Sequence, residues 1–293
     1  MMDNSSKLEK KRISILGCGW LGFPLAQRLQ SLHITSDIKG STTSLFKIST
    51  FEKAGIAGYL LPLVPDFDNE ETVIQSFFDS DTLIVSIPPR MSKNESGYYL
   101  QQITAAIREI EKSPVQEIIF ISSTGIYPEL NRAVTEADVE TPDQSDSPDM
   151  VAAENLMKAL RPKCNVTILR LGGLLGYNRI PGKYVKGQKD ITTGSIPVNY
   201  IHRDDAVGII VTILQNGVMN ETFNIVAPIH TTRREVYEAS CKQFDWEAPT
   251  FAEPPVKPDF KVISAEKFGK HYAYEFKFPD PLKFFYSLAD SEA

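Results

Sequence analysis

At 293 residues, 42% of them hydrophobic and 23% charged, the chain has the composition of an ordinary globular protein of one large domain or two interlocked ones. Its formal net charge of −6 argues against a general nucleic-acid binder, because phosphate backbones need a basic face. Cys18, Cys164 and Cys241 lie far apart and form neither a metal spacing nor a disulfide framework, so a reducing cytoplasm is expected. Residues 1–11 are polar, lack the apolar core of a signal peptide and are expected to fray, and no apolar run is long enough to cross a bilayer.

The first predicted strand, residues 13–16, breaks into Gly17, Gly19 and Gly22 at G-x-G-x-x-G spacing and then into a helical pattern carrying Leu21, Leu25 and Leu29, with Pro24 in its first turn. Each glycine meets a different physical need. The first allows a sharp turn off the strand, the second close backbone approach to a pyrophosphate, and the third close packing of helix on sheet. Gly17, Gly19 and Gly22, with Trp20 and Leu21 between them, are therefore expected to cradle the phosphates of a dinucleotide at a positive helix end. Cys18, inside this loop, reads as a small filler rather than a nucleophile.

A second strand is expected near residues 34–41 and a third at 59–63. Dinucleotide folds that take NAD usually carry an acid at the end of the second strand for the ribose 2′-hydroxyl. The run from Lys39 to Lys47 has none; Ser41, Thr42 and Thr43, with Lys39 and Lys47 nearby, suit a 2′-phosphate better, so NADP is expected ahead of NAD. The fourth strand, residues 82–87, ends at Pro88 and Pro89, which are expected to line the cofactor groove. A helix over 98–110 puts Ile103, Ile107 and Ile110 on one face. A strand at 118–121 runs into Ser122, Ser123, Thr124 and Gly125, and another is expected at 166–169.

The segment between them, 129–149, is rich in Asp, Glu, Pro and Ser and reads as a solvated loop beyond a strand's carboxyl end, where ligands bind. After Gly176 the pattern loosens; a helix at 204–214, a strand at 223–226 and a helix near Arg233, capped by Thr231-Thr232, follow. The alternation predicts an α/β fold with a doubly wound parallel sheet. Residues 1–176, joined again by about 204–227, are expected to form the dinucleotide-binding domain. Residues 177–203 and 228–293 are expected to form a smaller substrate domain, with Tyr272, Tyr274, Phe276 and Phe278 in its core.

Four segments then carry a family likeness: the glycine loop; Ile121-Ser122-Ser123-Thr124-Gly125-Ile126-Tyr127; Leu169-Arg170-Leu171-Gly172-Gly173-Leu174-Leu175-Gly176-Tyr177; and Asn199-Tyr200-Ile201-His202-Arg203-Asp204-Asp205-Ala206. In their order and separations the chain resembles the extended and atypical short-chain dehydrogenases/reductases, the NAD(P)-dependent epimerase/dehydratase group, over roughly its first three quarters. The resemblance implies a Rossmann domain, a nicotinamide cofactor touching Ser122 among others, a small-molecule substrate of carbonyl, hydroxyl or nucleotide-sugar type, and a monomer or homodimer with no nucleic-acid or membrane partner and no metal. It also implies that Ser123, with Thr124 beside it, stands at the family's catalytic Ser/Thr position.

The chain departs from the family at its Tyr-x-x-x-Lys pair: no tyrosine here is followed four residues on by lysine, and Asp146 and Met150 fall at those places. Two readings stay open. In one, Ser123 and Thr124 polarise a carbonyl and Tyr127, Tyr177 or Tyr200 supplies a phenol. In the other, the chain is a catalytically silent dinucleotide-binding redox sensor or regulatory protein. Arg170, Arg179, Lys183, Lys186 and Lys189 are candidates to hold an anionic substrate. His202 reads as a structural hydrogen-bonder, and Asp204 and Asp205 as a helix cap and dipole partner.

Overall fold

In the computed structural model, which describes residues 10–89 and 97–289, buried β-branched runs become strands and the segments between them become covering helices. The fraying expected of residues 1–11 falls outside the described residues except at Lys10 and Lys11. The elements are β1 (Lys11–Leu16), α1 (Gly22–Ser31), β2 (Thr35–Thr42), α2 (Leu45–Lys53), β3 (Ala57–Leu60), α3 (Glu71–Phe78), β4 (Thr82–Val85), α4 (Tyr98–Lys112) and β5 (Glu117–Ser123). They continue as β6 (Arg132–Val134), α5 (Pro148–Lys158), β7 (Asn165–Leu171), β8 (Gly173–Leu175), α6 (Pro181–Val185), β9 (Tyr200–His202) and α7 (Arg203–Asn216). The chain closes with β10 (Thr222–Ile225), α8 (Arg233–Gln243), β11 (Lys261–Ile263) and α9 (Glu266–His271).

Seven strands make one parallel sheet in the order β10-β7-β5-β4-β1-β2-β3. The order reverses between β1 and β4, and in such sheets the reversal opens a crevice at the carboxyl ends of the strands. The glycine loop leaves β1 at that place. Successive residues of the central strands feed opposite faces, as the period of two requires. Ile84, Ile119, Leu169 and Phe223 join the cluster under α1 and α7, whereas Leu83, Val85, Ile118, Phe120 and Ile168 join the cluster under α3, α4 and α5.

Two small parallel pairs, β8-β9 and β11-β6, stitch later segments over the carboxyl end of the sheet. The third strand lies earlier than the sequence suggested, because pairing of Lys39 with Ala57 through Thr42 with Leu60 fixes its register. The acidic segment is more ordered than expected: it holds β6 and two turns closed by reciprocal caps, Thr135 with Asp138 and Thr141 with Gln144. The aromatic tail is also reassigned. Tyr272, Tyr274 and Phe276 pack on the α1–α7 face of the main sheet, and only Phe278 joins the small cluster of Ile180, Ala227, Phe284 and Tyr286. Among the described residues no helix is long and apolar enough to cross a membrane.

Candidate active site

The glycine loop has the geometry its spacing demands. Gly17 adopts φ +92°, and a Cβ there would stand 2.6 Å from the carbonyl oxygen of Ser86. At Gly22 a Cβ would meet the Gly17 carbonyl at 2.9 Å and Ile15 at 3.0 Å, so the helix lies flush on the strand. Above Gly19 a Cβ would meet nothing within 4 Å: this glycine faces open space. The loop is tied to β2 by the Gly17 N–H donating to Ser41 Oγ (2.8 Å) and the Cys18 N–H donating to the Ser41 carbonyl (2.8 Å). The first helical bond runs from the Phe23 N–H to the Gly19 carbonyl, which leaves the amides of Trp20, Leu21 and Gly22 with no acceptor among the described residues. Space over Gly19 and unfilled amides at a helix start are what a diphosphate requires, so these residues fit the group. Burial pushes the Cys18 thiol up to about 12, in keeping with a filler.

Trp20 is contacted by two arginines: Arg179 lies 4.0 Å and Arg203 4.7 Å from its ring centroid, while its indole N–H donates to Asn178 Oδ1 (2.9 Å). Arg203 also lies 3.7 Å from the Tyr177 ring. These contacts fasten the glycine loop to the segment after β8. Tyr177 donates to Asp204 Oδ1 (2.8 Å), and Lys277 pairs with the other oxygen of Asp204 at 2.7 Å.

At the end of β2 the Thr42 hydroxyl accepts from the Ser44 N–H, and Thr43 follows it into the turn before α2. Lys39 is corrected by the structure. Its ammonium donates to the carbonyls of Ser76 and Asp79, both at 2.7 Å, so it closes the end of α3 and does not face a 2′-phosphate. Pro88 and Pro89 come after Ser86 and Ile87 beyond the end of β4, and the Ser86 N–H bonds the Leu16 carbonyl next to the glycine loop.

Ser123 and Thr124 line a cleft of about 290 Å³ together with Glu129, Asn199, Tyr200, Arg233 and Lys261. Ser123 Oγ accepts from the Gly125 N–H at 3.0 Å, so this hydroxyl also caps the turn that follows β5. The two small strand pairs build the far side of the cleft: Asn199 accepts from the Ile263 N–H (2.8 Å) and donates to the Lys261 carbonyl (3.0 Å). Lys261 in turn pairs with Glu129 at 3.0 Å.

Of the three candidate phenols only Tyr200 lines this cleft. Burial, with Tyr237 beside it, raises its pKa, so it remains a protonated phenol at neutral pH. Tyr177 is engaged with Asp204. Tyr127 is a correction: it is 0% exposed, its hydroxyl donates to Asn224 Oδ1 (2.6 Å) and accepts from Arg170 (2.7 Å), and burial pushes it up to about 12. It is a core residue, not a group of the cleft.

Ser122 turns away from the cleft as well and donates to Glu154 Oε1 at 2.6 Å. Arg170 does not meet an anionic substrate. It is buried against Glu154 at 2.7 Å and spends its other donors on Tyr127 and the carbonyls of Glu136 and Val139. Lys189 pairs with Glu247, and Lys186 lies over Trp246. His202 is fully buried. Its Nδ1 accepts from the Asp204 N–H and so caps α7, leaving Nε2 to donate to the Phe285 carbonyl. Asp146 is exposed ahead of α5, and Met150 is buried in the core under it.

Arg233 and Lys261 are the cleft residues that sequence reasoning missed. Both sit more than a hundred positions after Ser123, Arg233 at the start of helix α8 and Lys261 in the three-residue strand β11, and nothing local in either segment shows that it meets Ser123. The one sequence cue was the Thr232 cap, which fixes where α8 begins and hence which arginine stands at its first position.

No family model matches the chain. Protein YeeZ of Escherichia coli, strain K12, is 30% identical over 272 residues, which is 93% of this chain and 98% of YeeZ. Among solved structures, the UDP-Glc/GlcNAc 4-epimerase of Campylobacter jejuni superposes with a TM-score of 0.73 at 16% identity, covering 92% of this chain and 96% of its own. A short-chain dehydrogenase/reductase superfamily protein of Agrobacterium tumefaciens, solved with bound NAD, gives 0.71 at 14% identity, covering 92% and 94%. The fold is thus the Rossmann-like α/β architecture of that superfamily.

Proposed function

The chain belongs to the family of Protein YeeZ and has the fold of short-chain dehydrogenases/reductases and nucleotide-sugar epimerases, and from that premise we propose that it is a nicotinamide-dinucleotide-dependent enzyme acting on a small carbonyl or hydroxyl compound. The observation that carries this reading is the open space over Gly19 beside the unfilled amides of Trp20, Leu21 and Gly22. Gly17, Gly19, Trp20, Leu21 and Gly22 would hold the diphosphate. Ser41, Thr42 and Thr43 would face the adenosine ribose, with Pro88 and Pro89 along the groove. When bound, the dinucleotide supplies the hydride acceptor or donor.

The chain's own residues do the rest. The Ser123 and Thr124 hydroxyls donate to a substrate oxygen in the cleft and polarise it. Tyr200 is a protonated phenol in the same cleft and gives that oxygen a proton, although burial makes it a weaker acid than a free phenol. For the cofactor we favour NADP: β2 ends in hydroxyls without an acid, although Lys39 is no longer among the supporting charges.

The test mixes pure protein with NADPH and a panel of carbonyl compounds and follows cofactor oxidation, with dinucleotide affinity measured in parallel. Turnover supports the enzyme. Tight binding without turnover on any compound supports the second reading, a silent dinucleotide-binding regulatory protein, which the exposed Asp146 and buried Met150 favour.

A further inference from the structure

The cleft beside Ser123 carries two cations and one carboxylate. Lys261 and Glu129 meet at 3.0 Å and neutralise one another, and the Lys261 ammonium is further held by the Tyr127 carbonyl. Arg233 lines the same cleft and makes no ion pair with a carboxylate among the described residues, though its charge is felt at Tyr200. The start of α8 does not itself offer amides to a ligand. The N–H groups of Arg233 and Arg234 bond the carbonyls of Ile196 and Gly194, and that of Glu235 bonds Thr232 Oγ1. The unpaired charge of the lining is therefore a guanidinium, whose fork matches a carboxylate in two parallel hydrogen bonds.

Size and charge narrow the ligand. A cleft of about 290 Å³ lies at the lower edge of the range of about 300–1,000 Å³ for small-molecule sites, which suits an acid of a few carbons better than a nucleotide sugar. Arg233 and Lys261 against Glu129 leave one net positive charge, which a monoanion balances. A phosphomonoester, carrying up to about two negative charges, would leave an unbalanced charge beside Glu129.

We propose that the cleft takes a small organic acid, its carboxylate held by Arg233 and its carbonyl or hydroxyl carbon facing Ser123 and Thr124. For its chemistry this rests on the dinucleotide-enzyme reading; for binding alone it does not.

The test titrates the full chain by calorimetry, with and without saturating NADPH, using pyruvate, acetoacetate and 2-oxoglutarate, the methyl ester of each, and glycerol 3-phosphate. At least one acid is expected to bind, with its ester weaker by about tenfold or more, the scale of a lost charge-assisted pair. Arg233→Met is expected to abolish that preference at unchanged NADPH affinity, and Arg233→Lys, which keeps the charge without the fork, to fall between the two. Thermal unfolding checks that both variants remain folded.

Acid and ester binding alike, glycerol 3-phosphate binding more tightly than every acid, or acid preference surviving Arg233→Met in a folded protein each overturn the proposal. NADPH binding with no acid bound overturns it and leaves the dinucleotide reading standing. Acid binding without NADPH binding does the reverse, and failure of both ligands sinks both.

Discussion

Glu154 on α5 and Arg170 on β7 meet at 2.7 Å inside the protein, and neither side chain is more than 1% exposed. The pair is closed on all sides: Ser122 donates to Glu154, and Arg170 donates to Tyr127, Glu136 and Val139. Because the Tyr127 carbonyl also holds Lys261, this network reaches the rear of the cleft. Replacing Arg170 leaves the buried Glu154 carboxylate with only the more distant Lys158, at 3.6 Å, to balance it. Arg170→Met is expected to lower unfolding stability by about 3–5 kcal/mol in urea titration. A loss within measurement error would mean that the pair contributes nothing the core needs.

Gly17 and Gly19 should separate under substitution. Gly17→Ala forces a Cβ toward the Ser86 carbonyl at a φ of +92° and is expected to lower the melting temperature, at a cost of about 1–3 kcal/mol for the strained backbone. Gly19→Val meets no protein atom at its Cβ and is expected to melt near the wild-type temperature while losing dinucleotide binding. Equal destabilisation by both changes would show that Gly19 serves packing rather than a ligand.

Buried His202 predicts a pH effect of definite sign. Burial lowers its pKa below the ordinary value of 6.5, outweighing the Phe285 carbonyl and the nearby aspartates. The unfolded chain then binds the proton more readily than the folded one, so this residue's share of stability is present above about pH 6.5 and is lost as pH falls toward the folded value. Unfolding midpoints measured between neutral and mildly acid pH are expected to fall in the wild type and to fall less in His202→Gln. Identical slopes would remove His202 as the cause.

The contacts of Trp20 offer a reporter. With Arg179 at 4.0 Å and Arg203 at 4.7 Å on its ring, and with the glycine loop beginning next to it, its emission is expected to change when a dinucleotide binds. The chain has two tryptophans, so Trp20→Phe should abolish the change and leave the signal of Trp246. A change that persists in Trp20→Phe would locate the ligand elsewhere.

Much of the architecture was readable because it rests on local physics. The runs around Ile84, Ile119 and Ile168 are continuous apolar strands, and the alternation of strand and helix dictates a sheet covered on both faces. The glycine spacing and the Ser123–Thr124 turn were legible for the same reason: each is a short stretch whose backbone demands specific residues.

What stayed hidden depends on partners distant in sequence. Tyr127 and Arg170 have the residue types of a site, and only their meeting with Asn224 and Glu154 shows them to be core. Lys39 has the charge and position of a phosphate ligand, and only the terminal carbonyls of α3 show where that charge is spent. Lys261 enters the cleft on β11, a strand of three residues with no periodic pattern, and Arg233 at the first position of α8, whose place beside Ser123 no local pattern shows.

The central claim is that bare main-chain amides at Trp20, Leu21 and Gly22 receive the diphosphate of a nicotinamide dinucleotide. The direct measurement is a titration of wild type and Gly19→Val with NADPH and NADH, read by calorimetry beside melting curves of both proteins. Saturable binding to the wild type, tighter for NADPH, with loss in a Gly19→Val protein that melts normally, is the predicted result. No binding of either coenzyme to folded wild-type protein, or equal binding to both proteins, would contradict it.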